Sequence, residues 1–361
     1  MRIDQFVPSL VRHDAIGNHV LQVRRVLRDS GIDGDIFHDR VDRRLANQGR
    51  PYAECDPRPS ADRLILYHAS TQSGMVPWLQ RAATNGQAVA VDYHNITPSE
   101  YFWRWDPAAA EQLVEARQEL AALSMSTELA LADSEYNEAE LQKLGYKSTA
   151  VAPLLVDLVQ YHARPDPVAA MMLARRRTRG GLLWLFVGRL APNKCQHDVI
   201  AAFAIYRHSF DRGARLALIG GASPPKYRQA LQRMTDELEV SDAVEFHGSV
   251  PFSRLLAYYR AADVFVCLSE HEGFCVPILE AMELGVPVVA FDAAAVHDTV
   301  GSGGVLVKDK DPVFVAGTVD RLVSDPASRS SLVERGQARA REFALASTSR
   351  QFLAALRGWR G

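Results

Sequence analysis

Short apolar runs recur along the chain, and most are followed by a stretch with helical spacing. In the first half they are Ile3–Val7, Leu64–Tyr67, Ala88–Asp92, Leu129–Ala132 and Thr149–Ala152. In the second half they are Leu182–Val187, Arg215–Ile219, Ala243–Phe246, Asp263–Leu268 and Pro287–Phe291. The runs are continuously apolar more than alternating, which is what strands covered on both faces of a parallel sheet look like. Between them, His19–Arg28 and Ala110–Leu123 read as helices. Asn137 with Glu140 reads as a capping box closed by Gly145, and Asp325-Pro326 as an N-cap followed by a first-turn proline. Strand and helix alternate in both halves, so the expected class is α/β, with two doubly wound, Rossmann-like domains.

The alternation lapses over Tyr161–Gly181, which holds Pro165, Pro167, Arg175, Arg176, Arg177, Gly180 and Gly181. The expected division is therefore a first domain over 1–165, a linker over 166–181, a second domain over 182–342 and a C-terminal helix over 343–361 that packs back on the first domain. The middle of the linker, Val168–Arg177, has room for a short helix. Its arginines read as a solvated helix face, with an acceptor or lipid phosphate as the alternative partner. A chain of 361 residues is long enough for two cores.

Hydrophobic residues make up 47% and charged residues 23%, with a formal net charge of -2, so no whole-protein attraction to nucleic acid is expected. The cysteines are Cys55, Cys195, Cys267 and Cys275; none forms a C-x-x-C pair, and Cys267 reads as a small core residue. The N-terminal segment lacks a signal-peptide pattern, and no apolar run approaches the ~20 residues that span a bilayer. The expected setting is cytoplasmic, with any membrane contact peripheral, at the inner face. The 11 histidines are scattered and no H-E-x-x-H occurs, so no catalytic metal and no cofactor are expected. The Asp-x-Asp near the C-terminal end, Asp309-Lys310-Asp311, reads as a solvated turn.

Chemistry concentrates in Ser269–Ala290, SEHEGFCVPILEAMELGVPVVA. It follows the strand Asp263–Leu268, and the loop after a parallel strand's carboxyl end faces a ligand crevice. Glu272 lies on that loop. A helix starts near Pro277, which places Glu280 about one turn in. Backbone N–H groups around Gly273, Phe274, Cys275 and Val276 are placed to receive anionic or hydroxyl oxygens, and Gly273 permits close backbone approach. A second segment, LLWLFVGRLAPNK, ends a buried strand at Gly188 and then supplies Arg189 and Lys194, a planar donor fork and a compact charge suited to a diphosphate.

These segments resemble those of the retaining glycosyltransferases of family 4, which have the GT-B architecture of two Rossmann-like domains facing across a cleft. The shared features are the two glutamates Glu272 and Glu280, the Gly-Phe after the first, and the Glu-Ala-Met at the second. By that resemblance Glu272 contacts the donor sugar, Glu280 holds ribose hydroxyls, and Arg189 with Lys194 neutralises the nucleotide diphosphate. In FHGSV, His247, Gly248 and Val250 fall where backbone groups meet the nucleotide base. In VDYHNITP, His94 falls where a histidine touches the donor sugar from the cleft, and in DAIGNH, Gly17 stands for the family's glycine-rich loop with one glycine in place of two. The Phe-Cys-Val-Pro and Tyr-His-Asn-Ile-Thr-Pro segments look most like bacterial enzymes of O-antigen or surface-polysaccharide synthesis.

The resemblance implies transfer of a hexose from a nucleotide diphosphate sugar to a glycan or lipid-linked acceptor hydroxyl. GDP-mannose is the first expected donor, followed by UDP-glucose or a deoxysugar nucleotide. Arg189, Lys194 and the amides of Val276–Ile278 stabilise the leaving group, and its phosphate oxygen takes the acceptor proton, since no dedicated base stands out. The alternatives are a nucleotide-sugar epimerase of the same fold, or an inactive subunit that binds nucleotide sugar. A nicotinamide oxidoreductase is disfavoured because no G-x-G-x-x-G follows the first strand. The sequence does not fix the oligomeric state.

Overall fold

The structure is a computed structural model that describes residues 1–11, 14–221 and 224–357. Trp359, within the expected C-terminal helix, lies outside the described residues, as does the rest of 358–361. The strands are β1 (Arg2–Leu10), β2 (Ile36–Val41), β3 (Arg50–Pro51), β4 (Arg63–Ala69), β5 (Ala88–Tyr93), β6 (Leu129–Ala132), β7 (Thr149–Val151), β8 (Leu183–Val187), β9 (Arg215–Ile219), β10 (Val244–Gly248), β11 (Val264–Cys267), β12 (Val288–Phe291) and β13 (Val305–Val307). The α-helices are α1 (Ala15–Asp29), α2 (Val76–Thr84), α3 (Pro107–Leu123), α4 (Glu135–Lys143), α5 (Pro167–Arg177), α6 (Gln196–Ser209), α7 (Pro225–Glu237), α8 (Phe252–Ala261), α9 (Val276–Glu283), α10 (Val296–Val300), α11 (Pro312–Ser324), α12 (Pro326–Glu342) and α13 (Leu345–Arg357). Among the described residues no helix is long and apolar enough to cross a membrane.

The chain divides into two compact units, one formed by Met1–Trp103, Pro107–Val156 and Phe343–Gly361, the other by Arg104–Asp106 and Asp157–Glu342. In the first unit the parallel strands run β3-β2-β1-β4-β5-β6-β7. One face of this sheet is covered by a core that includes Val23, Leu64, Leu66, Leu129, Phe352 and Leu356, so α13 is part of that core. β2 escapes the sequence pattern because only Ile36, Phe37 and His38 are buried; its polar second half looks like a loop. α1 begins at Ala15, earlier than its apolar spacing predicts, because the Asp14 carboxylate accepts from the Gly17 N–H and caps it. α4 is capped by Ser134, whose hydroxyl accepts from the Asn137 N–H at 3.2 Å; Asn137 is thus the third helical residue and not the cap.

In the second unit the parallel order is β10-β9-β8-β11-β12-β13. The chain moves outward in one direction after β8 and in the other after β11, so these adjacent strands flank a topological switch point. Gly220 ends β9 at φ +146, and a Cβ there would lie 2.0 Å from the Gly188 carbonyl oxygen, so only glycine lets the two strand ends approach. The expected linker 166–181 carries α5 where a short helix over Val168–Arg177 was expected; its Ala169 and Leu173 are buried and its N-cap Asp166 donates its backbone N–H to the Ser253 carbonyl at 2.9 Å. Arg176 and Arg177 are not merely solvated. Arg176 pairs with Glu245 at 2.5 Å, and Arg177 with the buried Asp263 at 3.2 Å.

Candidate active site

The two signature segments of the second unit leave the carboxyl ends of β8 and β11 and are tied to each other. The Lys194 ammonium lies 2.5 Å from Glu272 Oε2. The Asn193 carbonyl accepts from the Glu270 N–H at 3.0 Å, and the Asn193 amide donates to the His271 carbonyl at 3.1 Å. Asn193 is 1% exposed, so it clamps one loop to the other from inside. A further tie comes from Lys310, which pairs with Asp198 at 2.6 Å and with Glu270. The local sequence hides Lys310 in a charged tripeptide. The same tripeptide's Asp311 caps α11, accepting from Val313 and Phe314 N–H groups.

The helices that follow both loops start alike. α6 begins after Cys195 at φ 50 and α9 after Cys275 at φ 66, both left-handed, and neither start has a side-chain cap. A helix start without a cap leaves backbone N–H groups and the positive end of the helix dipole for an external anion. Arg189 is exposed, and among the described residues its guanidinium has no ion-pair partner. Burial works to lower the Lys194 pKa, but the neighbouring Glu272 carboxylate more than reverses this and raises it. The loop therefore carries one cation held against a buried carboxylate and one held out to solvent.

Glu280 is 7% exposed and sits on α9 as its spacing predicts. Its two oxygens accept from the Tyr161 and Tyr259 hydroxyls, the latter at 2.6 Å. Burial raises the Glu280 pKa, and the two phenol bonds act against that rise. Neither tyrosine stands out in the sequence, because Tyr161 lies in the Pro-rich boundary and Tyr259 in an apolar helix. Tyr259→Phe should cost about 1–3 kcal/mol, the usual size of a hydrogen bond to an ionisable group. Urea titration of the purified chain checks this.

His247 lies 3.0 Å from Glu245 and packs on the Tyr258 ring at 4.6 Å, so its side chain is used within the fold. Gly248, at φ +64, accepts through its carbonyl from the Gly220 N–H at 2.9 Å, and Val250 is half-buried on the loop before α8. Gly273 is half-buried and Phe274 buried, and the Phe274 carbonyl accepts from the Thr299 hydroxyl.

In the first unit His94 and Gly17, expected at the donor, make their contacts within the fold. The His94 side chain is fully buried; its Nδ1 lies 3.0 Å from Asp133 and its Nε2 2.9 Å from His68 Nδ1, so no ring nitrogen remains for a sugar hydroxyl. The Gly17 N–H is consumed by the Asp14 cap at 3.1 Å, and a Cβ at Gly17 would lie 2.2 Å from the Val11 carbonyl oxygen. That glycine serves helix-to-strand packing. Around His94, Asp92 accepts from His19 Nε2 at 2.9 Å, and His19 Nδ1 accepts from the Leu155 N–H at 2.9 Å.

This buried network has a pH signature. Burial alone would lower the His94 pKa, but the Asp133 and Asp92 carboxylates raise it to about 9. His68 is lowered to about 4, mainly by burial. A folded-state pKa above the unfolded value of about 6.5 gives stability that is present below that value and is lost as pH rises toward 9. His68 acts in the other limb, costing stability as pH falls from about 6.5 toward 4. Amide exchange protection in β5 should therefore be greatest near neutral pH and fall on both sides.

Residues 176–339 match the family described as Glycosyl transferases group 1. The match falls within the second unit, which is similar to a glycosyltransferase group 1 domain. Among curated relatives, a D-inositol 3-phosphate glycosyltransferase of Frankia alni is 36% identical over 209 residues, which covers 56% of this chain and 51% of that protein. One from Kineococcus radiotolerans is 30% identical over 260 residues, 66% of this chain and 57% of that protein. The chain thus spans about half the length of the curated relatives it matches. Among solved structures, Anabaena Alr3699/HepE in complex with UDP and glucose superposes with a TM-score of 0.76 at 17% identity, over 99% of this chain and 100% of that one. WaaG, a glycosyltransferase involved in lipopolysaccharide biosynthesis, gives 0.69 at 13% identity, over 98% of each chain. At such identities the likeness concerns the fold, and it places both Rossmann-like units in the GT-B class.

Within the matched residues, Arg189, Lys194 and Glu272 lie on the loops after β8 and β11, and Glu280 on α9. Asn193, Lys310, Tyr161 and Tyr259 are the residues that sequence reasoning passed over. Asn193 had a weak signal, being one residue before Lys194 in a segment already singled out.

Proposed function

We propose that the chain is a retaining, metal-independent glycosyltransferase of family 4 that moves a hexose from a nucleoside diphosphate sugar to an acceptor hydroxyl. One observation carries this above the others. Arg189, Lys194 and Glu272 leave the ends of the two strands at the switch point, beside two helix starts with no side-chain cap. Donor sites in open α/β sheets form at such points, and helix starts favour phosphate.

Arg189, Lys194 and the Val276 N–H at the start of α9 take the charge that develops on the departing diphosphate; of the expected Val276–Ile278 amides, Pro277 has no N–H and the Ile278 N–H donates to the Cys275 carbonyl at 3.0 Å. Such preorganised donors are often the largest catalytic contribution. Glu272 holds the sugar hydroxyls and in turn fixes Lys194. No side chain is assigned as base; the departing phosphate oxygen takes the acceptor proton on the same face of the sugar, which keeps the anomeric configuration. UDP moves ahead of GDP as the expected nucleotide, supported by the UDP complex of the structural neighbour.

For the acceptor, a glycan or lipid-linked hydroxyl in surface-polysaccharide or glycoconjugate synthesis is one reading. A phosphorylated polyol is the second, supported by the inositol 3-phosphate in the relatives' names. A thermal-shift panel of nucleotides and nucleotide sugars tests the donor, since a ligand at 100 times its Kd stabilises by about 2.7 kcal/mol. A shift with one nucleoside diphosphate and its sugar is expected; no shift with any would reject the proposal. Incubation of the donor alone separates an epimerase, which would change the sugar without an acceptor.

A further inference from the structure

We propose that the thiols of Cys267 and Cys275 and the carboxylate of Glu272 form an inhibitory site for a thiophilic divalent cation, with zinc the best fit. Their ligand atoms all lie within 4.8 Å of one another, and the two sulfurs are 3.9 Å apart. Tetrahedral zinc with Zn–S bonds of about 2.3 Å sets two sulfurs about 3.8 Å apart, so the thiols already stand at a ligand edge. All three side chains are buried, Cys267 at 1%, Glu272 at 7% and Cys275 at 8% exposed.

The position already suits a cation. The Lys194 ammonium already stands 2.5 Å from the Glu272 carboxylate. Lys194, with a side-chain exposure of 21%, sits between this trio and solvent. Two thiolates and a carboxylate form a soft, anionic set that suits zinc better than magnesium or calcium.

The other two groupings of metal-ligating side chains among the described residues are already committed. His19 Nδ1 accepts the Leu155 N–H, so its Nε2 carries the proton and cannot ligate as a neutral imidazole. In the Cys195, His197 and Asp198 group, His197 Nδ1 lies 2.9 Å from the Tyr227 hydroxyl and Asp198 pairs with Lys310.

Binding is coordination without redox change. Both thiols lose their protons to solvent, two sulfurs and one carboxylate oxygen bond the ion, and water takes the fourth place. Glu272 is drawn from Lys194 and withdrawn from donor binding. The inhibitory consequence rests on the function proposed above; the metal site itself does not.

The test uses the full chain, reduced and freed of metal, and titrates it with cobalt(II) and zinc(II). Cobalt should give a thiolate-to-metal charge-transfer band, which zinc bleaches. Zinc should remove the extra thermal shift that the UDP-sugar gives over UDP, and a chelator should restore it. Loss of one outer-shell partner costs about 10–100-fold in metal affinity, so Cys267→Ser should weaken zinc binding by roughly 100-fold or more and leave the UDP shift in place. Cys275→Gly, which suits the left-handed backbone, should abolish the band independently. Absence of a thiolate band, or equal zinc binding by Cys267→Ser, would overturn the site. A thiolate band in a chain that gives no UDP shift even without metal would keep the site and reject the donor assignment.

Discussion

Replacing Arg189 by alanine should lower kcat by about 10²–10³, the usual cost of removing one preorganised donor to developing charge. The fold should be untouched, because the side chain is exposed and has no ion pair among the described residues. KM for the acceptor should change little, since the guanidinium acts on the leaving group. Steady-state kinetics with the donor found in the nucleotide panel measures both quantities. Lys194→Ala should be costly for a second reason: it strands the Glu272 carboxylate, 7% exposed, without its cation. Equal turnover in Arg189→Ala would remove that residue from the chemistry.

The largest stability effect is expected in the first unit. Asp92 is 0% exposed and is approached by His19 at 2.9 Å, His68 at 3.3 Å and His94 at 3.6 Å. Burial opposes its ionisation, yet these histidines hold its pKa well below the usual carboxylate value. Breaking a buried charge pair by removing one partner costs about 3–5 kcal/mol. Asp92→Ala should lose that much in urea unfolding, whereas Asp92→Asn, which keeps an oxygen for the His19 proton, should lose less. A loss below about 1 kcal/mol in Asp92→Ala would mean that the histidines find other partners.

Most of this fold was readable as pattern. Strands buried on both faces, such as Leu64–Tyr67 and Phe265–Leu268, announce themselves because nothing polar interrupts them. β2 did not, since only its first half is buried and the rest looks like loop. In the second unit, Arg189, Lys194, Glu272 and Glu280 were legible because one motif carries each pair at short range. What supports them was not. The Tyr161–Glu280 and Tyr259–Glu280 bonds join residues 119 and 21 positions apart, and the Asn193 amide reaches His271 across 78. No local pattern encodes contacts of that span.

His94 shows the opposite error. Its motif was legible, but the side chain turns into the first unit, where His68 and Asp133 occupy both nitrogens. Spacing places a residue at a strand end without fixing which way its ring points. Asp325-Pro326 was simpler, because the cap and the helix it starts are adjacent; the Asp325 carboxylate accepts from the Ala327 N–H at 3.0 Å.

The decisive measurement is a crystal structure of the chain soaked with UDP. A diphosphate seated against Arg189, Lys194 and the Val276 N–H at the start of α9, with the ribose hydroxyls at Glu280, is the expected result. A nucleotide bound away from the carboxyl ends of β8 and β11, with Arg189 still in solvent and Lys194 untouched, would contradict the assignment of the donor site.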